Sequence, residues 1–266
     1  MNNIEIRNLK FHYTEGEEIL KDITLNFDGR STAIIGQNGA GKTTFVKLLK
    51  GLLKPVSGDV IINGINTRES TVAALARHIG LVFQNPNDQI FKNKVLEEVM
   101  FGPLNIGQTH DEAHASALTA LNTVGLSDKV NENPYDLSLS ERKLISIASI
   151  VAMNTGIIIF DEPTIAQDHA GKERIKTIIR ELVKQGKLVL TIIHDMDFVA
   201  ETFERTLVFA EGTALLDGTT RDVYSHSEVL GKAHLEPPHV TQLCNRLGVK
   251  DTFLTVEEFI QYKKTP

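Results

Sequence analysis

The chain has 266 residues, of which 41% are hydrophobic, and a formal net charge of -6. That length accommodates one large domain and a small appendix, and the acidic balance with dispersed Lys and Arg argues against a bulk nucleic-acid binder. The single cysteine, Cys244, excludes an intrachain disulfide, points to a reducing compartment and reads as a small buried hydrophobe.

Residues 4–11 ("IEIRNLKF") and 19–27 ("ILKDITLNF") alternate apolar and polar residues, as half-exposed antiparallel strands do. "STAIIG" (31–36) is a short apolar run ending in glycine, which suits a buried strand, and "KTTFVKLLKGLL" has helical spacing. "GDVIINGINT" predicts a hairpin turning at "NG". "RHIGLVFQNP" predicts a strand and then a loop; "NKVLEEVMFGPLN" and "DEAHASALTALNTVGL" predict helices. Ser138 and Glu141 are spaced as a capping box, so a helix is expected over about 138–152. "GIIIFDEP" and "KLVLTIIHD" read as buried strands flanking the amphipathic helix "AGKERIKTIIRELVKQG". After residue 221 the composition shifts, and two short amphipathic helices are expected over 222–266. Alternating strands and helices predict an α/β fold with a mainly parallel core sheet, an antiparallel β subdomain, a helical subdomain at about 86–155 and a small C-terminal helical annex. The start lacks the apolar run of a signal peptide, and no stretch approaches the roughly 20 apolar residues of a membrane span. Work at a membrane would need a partner that supplies the spans.

"GQNGAGKT" (36–43) fits G-x-x-x-x-G-K-[ST] between a predicted strand and helix. The expected ATP-binding residues are Gly36, Gln37, Asn38, Gly39, Ala40, Gly41, Lys42, Thr43 and the adjoining Thr44. The glycines let backbone N–H groups turn toward phosphate oxygens, Lys42 supplies a point charge, and Thr43 offers a hydroxyl to Mg²⁺. "IIIFDE" (157–162) ends a strand on two carboxylates. Asp161 can hold the Mg²⁺ shell, and Glu162 can polarise an attacking water. His110 and His114 are spaced i, i+4 but lack a strong third ligand, so a solvated helix face is expected there.

With these motifs the chain resembles the ATP-binding subunit of an ABC transporter, from about residue 4 to 220. The resemblance implies an ABC-type P-loop ATPase fold, with 1–221 as the nucleotide-binding domain. It implies that Tyr13 stacks on adenine, that Gln84 in "VFQNP" meets Mg²⁺ and the transmembrane subunit, and that His194 in "TIIHD" is the switch histidine touching the γ-phosphate. "IAQD" (165–168) falls at the D-loop, with Asp168 in place and "AQ" departing from the common pattern. "LSLSE" (137–141) falls at the signature motif, usually LSGGQ, which in this family caps the γ-phosphate bound by a partner ATPase. Ser138 is kept and, with Ser140 and Glu141, would face that partner's ATP. Leu139 and Ser140 replace glycines, and each adds a Cβ that obstructs close approach. Glu141 brings a carboxylate toward a polyanion, at a cost of about 1–4 kcal/mol. A weakened half-site for the partner is therefore expected, against the alternative that the changes are tolerated.

"FQNPNDQIF", "VLEEVMFGPLNIG" and "PPHVTQLCNRLG" are similar to energy-coupling factor (ECF) transporter ATPases and their cobalt and nickel relatives. That likeness implies a vitamin or transition-metal importer on the cytoplasmic face of the cell membrane. Its other parts would be a second ATPase, a membrane scaffold and a small membrane substrate-binding subunit. Dimerisation by 222–266 is implied, against a cap over the core's own apolar surface. The alternatives are a soluble ABC ATPase, for example in iron–sulfur assembly, and a largely regulatory ATP-binding subunit.

Overall fold

The computed structural model describes residues 2–264. Strands β1 (Ile4–His12) and β2 (Glu18–Phe27) open the fold, and β3 (Thr32–Gly36) runs into a glycine-rich loop and helix α1 (Lys42–Leu49). The hairpin β4 (Ser57–Ile62) and β5 (Ile65–Asn66), the single turn α2 (Val72–Leu75) and strand β6 (Ile79–Val82) come next. Helices α3 (Val95–Asn105), α4 (His110–Thr123) and α5 (Leu139–Ala152) follow one another without an intervening strand. Strands and helices then alternate as β7 (Ile157–Asp161), α6 (His169–Lys184), β8 (Leu188–Ile192) and α7 (Met196–Thr202). The hairpin β9 (Arg205–Ala210) and β10 (Thr213–Thr219) leads to α8 (Thr220–Ser225), α9 (Ser227–Lys232), α10 (His239–Arg246) and α11 (Val256–Lys264).

The strands form two sheets. One has four strands in the order β2-β1-β4-β5, all antiparallel. The other has six in the order β10-β9-β3-β8-β7-β6, parallel except for the β9–β10 edge. The "NG" hairpin forms as expected, with Asn63 at φ 49° and Gly64 at φ 81°, the left-handed pair that a tight two-residue turn requires.

Side-chain alternation splits the core in two. On β7, Ile158 and Phe160 join the cluster under α3–α7, whereas Ile157 and Ile159 face α1 and the four-stranded sheet. Strand β8 repeats the division with Val189 against Leu188, Leu190 and Ile192. A strand covered on both faces has no polar side, which is why these segments read as unbroken apolar runs.

The C-terminal region departs from expectation. It holds four helices, and the boundary drawn at 221/222 falls inside α8. Val223, Tyr224, Leu230 and Ala233 pack into the main cluster, so α8 and α9 extend the core. A separate small cluster begins only with Val240, Cys244 and Phe253. Each of these helices is too short to display enough period for its packing partner to be read from sequence. The His239 backbone N–H donates to Asp197 Oδ1 at 3.0 Å, its ring pairs with Asp197 Oδ2, and Arg221 bonds Glu258 at 2.7 Å. These contacts tie α10 and α11 to α7 and α8.

Candidate functional site

Four neighbouring parallel strands, β3, β8, β7 and β6, deliver the site from their carboxyl ends, where ligands bind in such sheets. Gly36 closes β3, Asp161 closes β7 with Glu162 next, His194 follows β8 by two residues, and Gln84 follows β6 by two. Tyr13, Asn38, Gly39, Gly41, Lys42, Thr43, Thr44, Gln84 and Glu162 line one cleft of about 460 Å³. Ser138, Ser140 and Glu141 do not line it.

The glycine-rich loop has specific steric demands. A Cβ on Gly36 would lie 2.3 Å from the Phe209 carbonyl oxygen, and Gly41 has φ 99° with Leu20 Cδ2 2.7 Å from its Cβ direction. Only glycine fits both positions. Helix α1 then starts at Lys42 with no side-chain cap, so its first N–H groups are left for an anion. Lys42 Nζ donates to the carbonyls of Gly36 and Gln37 at 2.7 and 2.8 Å, which holds the ammonium over the loop. Burial lowers its pKa, while Glu162 and Asp161 pull it back up. Gln37 and Ala40 line a smaller hollow behind the loop, with Asn38 and Gly39 reaching both.

Asp161 is 5% exposed, and its Oδ1 has no hydrogen-bond partner. Burial, with Glu162 adding to it, pushes its pKa up to about 6, against the pull of Lys143, Lys42 and the Thr43 hydroxyl. Asp161 does not itself line the cleft, but its carboxylate meets the hydroxyl of Thr43, which lines it together with Gln84. The orphaned carboxylate oxygen, hydroxyl and amide oxygen make an all-oxygen donor set suited to a hard cation such as Mg²⁺. The raised pKa means that ionised Asp161 costs the nucleotide-free fold about 3 kcal/mol near neutral pH. Asp161→Asn is therefore expected to raise the melting temperature of the nucleotide-free chain by a few degrees and to abolish the stabilisation given by Mg²⁺ with ATP. Melting curves with and without both check it; a lower melting temperature for the bare variant would contradict the burial argument.

Glu162 sits at φ 48°, an unusual backbone for a residue with a side chain. Its N–H donates to Ile192 O at 3.0 Å, and its Oε1 lies 3.2 Å from His194 Nε2. The two catalytic candidates, 32 positions apart in sequence (194 − 162), therefore touch. Tyr13 is 60% exposed, packs edge-on against Phe11, and shares a hydrogen bond of 3.2 Å with Thr44 Oγ1. Its ring is thus at the cleft mouth.

The capping box forms with both bonds. Glu141 N donates to Ser138 Oγ at 3.2 Å, and Ser138 N donates to Glu141 Oε2 at 2.9 Å. The Ser138 hydroxyl also donates to Glu141 Oε2, at 2.7 Å. The hydroxyl expected to be free for a phosphate is thus engaged by the substituted residue, and these bonds hold the Glu141 pKa below its usual value. Asp168 caps α6, accepting from Gly171 N at 2.8 Å.

Sequence reasoning missed Lys143 and Gln167. Lys143 is 1% exposed, and its ammonium donates to the carbonyls of Phe83, Gln84 and Asp161 at 2.8, 2.8 and 3.2 Å. Burial pushes its pKa down to about 8. The signal was present: Lys143 lies four residues before Ile147, on the buried stripe of α5. Gln167 is buried against Ser140. No group of three or more His, Cys, Asp or Glu side chains that could hold a metal ion occurs among the described residues.

The profile of the ABC transporter family matches residues 20–165. A putative ABC transporter ATP-binding protein of Pyrococcus furiosus is 40% identical over 259 residues, covering 97% of this chain and 98% of that protein. An energy-coupling factor transporter ATP-binding protein of Methanothermobacter thermautotrophicus is 37% identical, covering 96% of this chain and 84% of the relative. The solved structure of CbiO1 from Clostridium perfringens, described as part of the ABC transporter complex CbiONQ, superposes with a TM-score of 0.77 at 31% identity and covers 91% of this chain and 98% of that one. With the phosphate loop, the paired carboxylates and the histidine meeting at the carboxyl ends of the parallel strands, the chain belongs to the ABC transporter family, as an ATP-binding ATPase subunit.

Proposed function

We propose that this chain hydrolyses ATP to power an ECF-type importer of a vitamin or a transition-metal ion. The observation that carries the reading is the half-site assembled at the carboxyl ends of the parallel strands. Lys42, Thr43, Gln84 and Glu162 share a cleft that the signature residues do not line, and the Glu162 and His194 side chains touch. In this reading the α1 N-terminus and Lys42 bind the phosphates, and Tyr13 covers adenine. Thr43, Gln84 and Asp161 would hold Mg²⁺, which neutralises phosphate charge when bound. Glu162 takes the proton of the attacking water, and His194 orients that carboxylate and meets the γ-phosphate. The helix start at Ser138 serves a second ATPase, the same chain or another. Leu139 and Ser140, each adding a Cβ where the family has glycine, make that half-site the weaker one, and the charge of Glu141 contributes least.

The partners follow from surfaces. No helix among the described residues is long and apolar enough to cross a membrane. In this reading other subunits supply the spans and the chain is peripheral on the cytoplasmic face. Phe91 and Phe101 stack edge to face, both exposed, with Lys92 over both rings, just after the Gln84 loop. This patch suits a membrane scaffold. Leu243 on α10 with Leu247 at its C-cap, and Val256 and Ile260 on α11, expose apolar pairs at i, i+4 spacing, which suit pairing of the C-terminal segments. The domain division at 221/222 is better drawn near residue 236, between the two clusters.

The test is co-purification with the membrane subunits, followed by ATP turnover and uptake in vesicles. Expected is a membrane-bound assembly whose uptake requires ATP. A chain that never associates with membrane protein yet hydrolyses ATP would favour a soluble ABC ATPase.

A further inference from the structure

The first two turns of α5 reach two loops of their own chain from neighbouring positions i and i+3, Ser140 and Lys143. Lys143 holds backbone oxygens of Phe83, Gln84 and Asp161. Ser140 meets Gln167 in a reciprocal exchange. Its hydroxyl donates to Gln167 Oε1 at 3.0 Å, and Gln167 Nε2 donates back to the Ser140 carbonyl at 3.2 Å. Gln167 is buried, and a Cβ on Gly171 would come within 2.4 Å of its Oε1, so the surroundings are shaped to that amide.

The loop that carries Gln167 begins at Glu162. Glu162 and Ala166 both have positive φ, 48° and 61°. Such positions cost about 1–3 kcal/mol each and persist only where the surroundings hold them. Inside the loop, Ile165 N reaches Glu162 O at 3.5 Å and Gln167 N donates to Thr164 O at 3.2 Å. Those bonds shape the loop without placing it against α5. The Ser140–Gln167 pair does place it. A glycine at 140, as in the usual signature, would have no hydroxyl for Gln167 Oε1.

We propose that Ser140 and Gln167 form a latch within the chain, which carries the position of the signature helix to the loop holding Glu162. Both are positioning residues for this chain's own hydrolysis. The inference rests on the ATPase reading above. It gives Ser140 a second effect, opposite in sign to the obstruction its Cβ poses for a partner's phosphate.

The experiment measures ATP turnover by the full chain in four forms: wild type, Ser140→Gly, Gln167→Leu and the double variant, with Glu162→Gln as the control for the ATPase reading itself. Gln167→Leu loses both hydrogen bonds and is expected to lower kcat about tenfold, whereas Ser140→Gly keeps the backbone carbonyl that accepts from Gln167 Nε2, loses one bond and is expected to lower kcat about three- to fivefold. KM for ATP is expected to stay within about twofold, because the latch acts on Glu162 rather than on the phosphate loop. The double variant is expected to be no slower than the slower single, since either change opens the same latch. Circular dichroism melts are expected to shift by less than about 5 °C. Gln167→Met repeats the measurement with an unbranched apolar chain, should Gln167→Leu pack badly. A faster Ser140→Gly would mean that obstruction outweighs the latch, and the proposal would fall. Independent, multiplying effects in the double variant, or a kcat unchanged by loss of Gln167, would also overturn it. Turnover that survives Glu162→Gln would instead overturn the assignment of the catalytic carboxylate.

Discussion

Glu162→Gln is expected to lower ATP turnover by about two to four orders of magnitude, the range of a lost general base. Glutamine keeps the size of the side chain and an oxygen that His194 Nε2, 3.2 Å away, can still meet. The unusual backbone at φ 48°, with its N–H on Ile192 O, does not depend on the carboxylate. Geometry is therefore kept while proton acceptance is lost. ATP affinity is expected to hold or improve, because a negative charge has been removed beside the phosphates. Turnover and equilibrium ATP binding on the same preparation check both parts. Turnover within about tenfold of wild type would mean that another group takes the proton.

Lys143→Met is expected to have the largest effect on stability. Two terms oppose each other. The ammonium is buried, and its pKa near 8 corresponds to about 3 kcal/mol of penalty, which methionine removes. Against that, three carbonyls lose their donor: Phe83, Gln84 and Asp161. Each orphaned buried acceptor costs about 1–3 kcal/mol. The carbonyls win, by about 2–4 kcal/mol net, and the melting temperature falls by roughly 5–15 °C. Calorimetry measures this directly, and an unchanged melting temperature would show that desolvation relief balances the lost bonds. Turnover is expected to fall as well, since the backbone of Gln84 and Asp161 loses its common anchor. The charge is costly where it sits, yet it joins the signature helix, the Gln84 loop and the end of β7 through one group.

The sequence by itself determined the contiguous motifs of the site, though not the short helices of the C-terminal region. The Ser138–Glu141 capping box and the "NG" turn form through contacts within a few residues, and "GQNGAGKT" and "IIIFDE" are legible because each is one unbroken run of residue types in strand–loop order. Their chemistry follows from order along the chain, and strand–helix alternation placed them at the carboxyl ends of a parallel sheet. The tertiary structure decided what depends on distance through space. Lys143 finds carbonyls 60, 59 and 18 residues away, and Ser140 meets Gln167 across 27. The Ser138 hydroxyl turned out to be held by Glu141, and α8 and α9 turned out to belong to the main core. A buried amine or amide is stable only beside the particular acceptors and donors that surround it, and those come from loops that only the folded chain brings together.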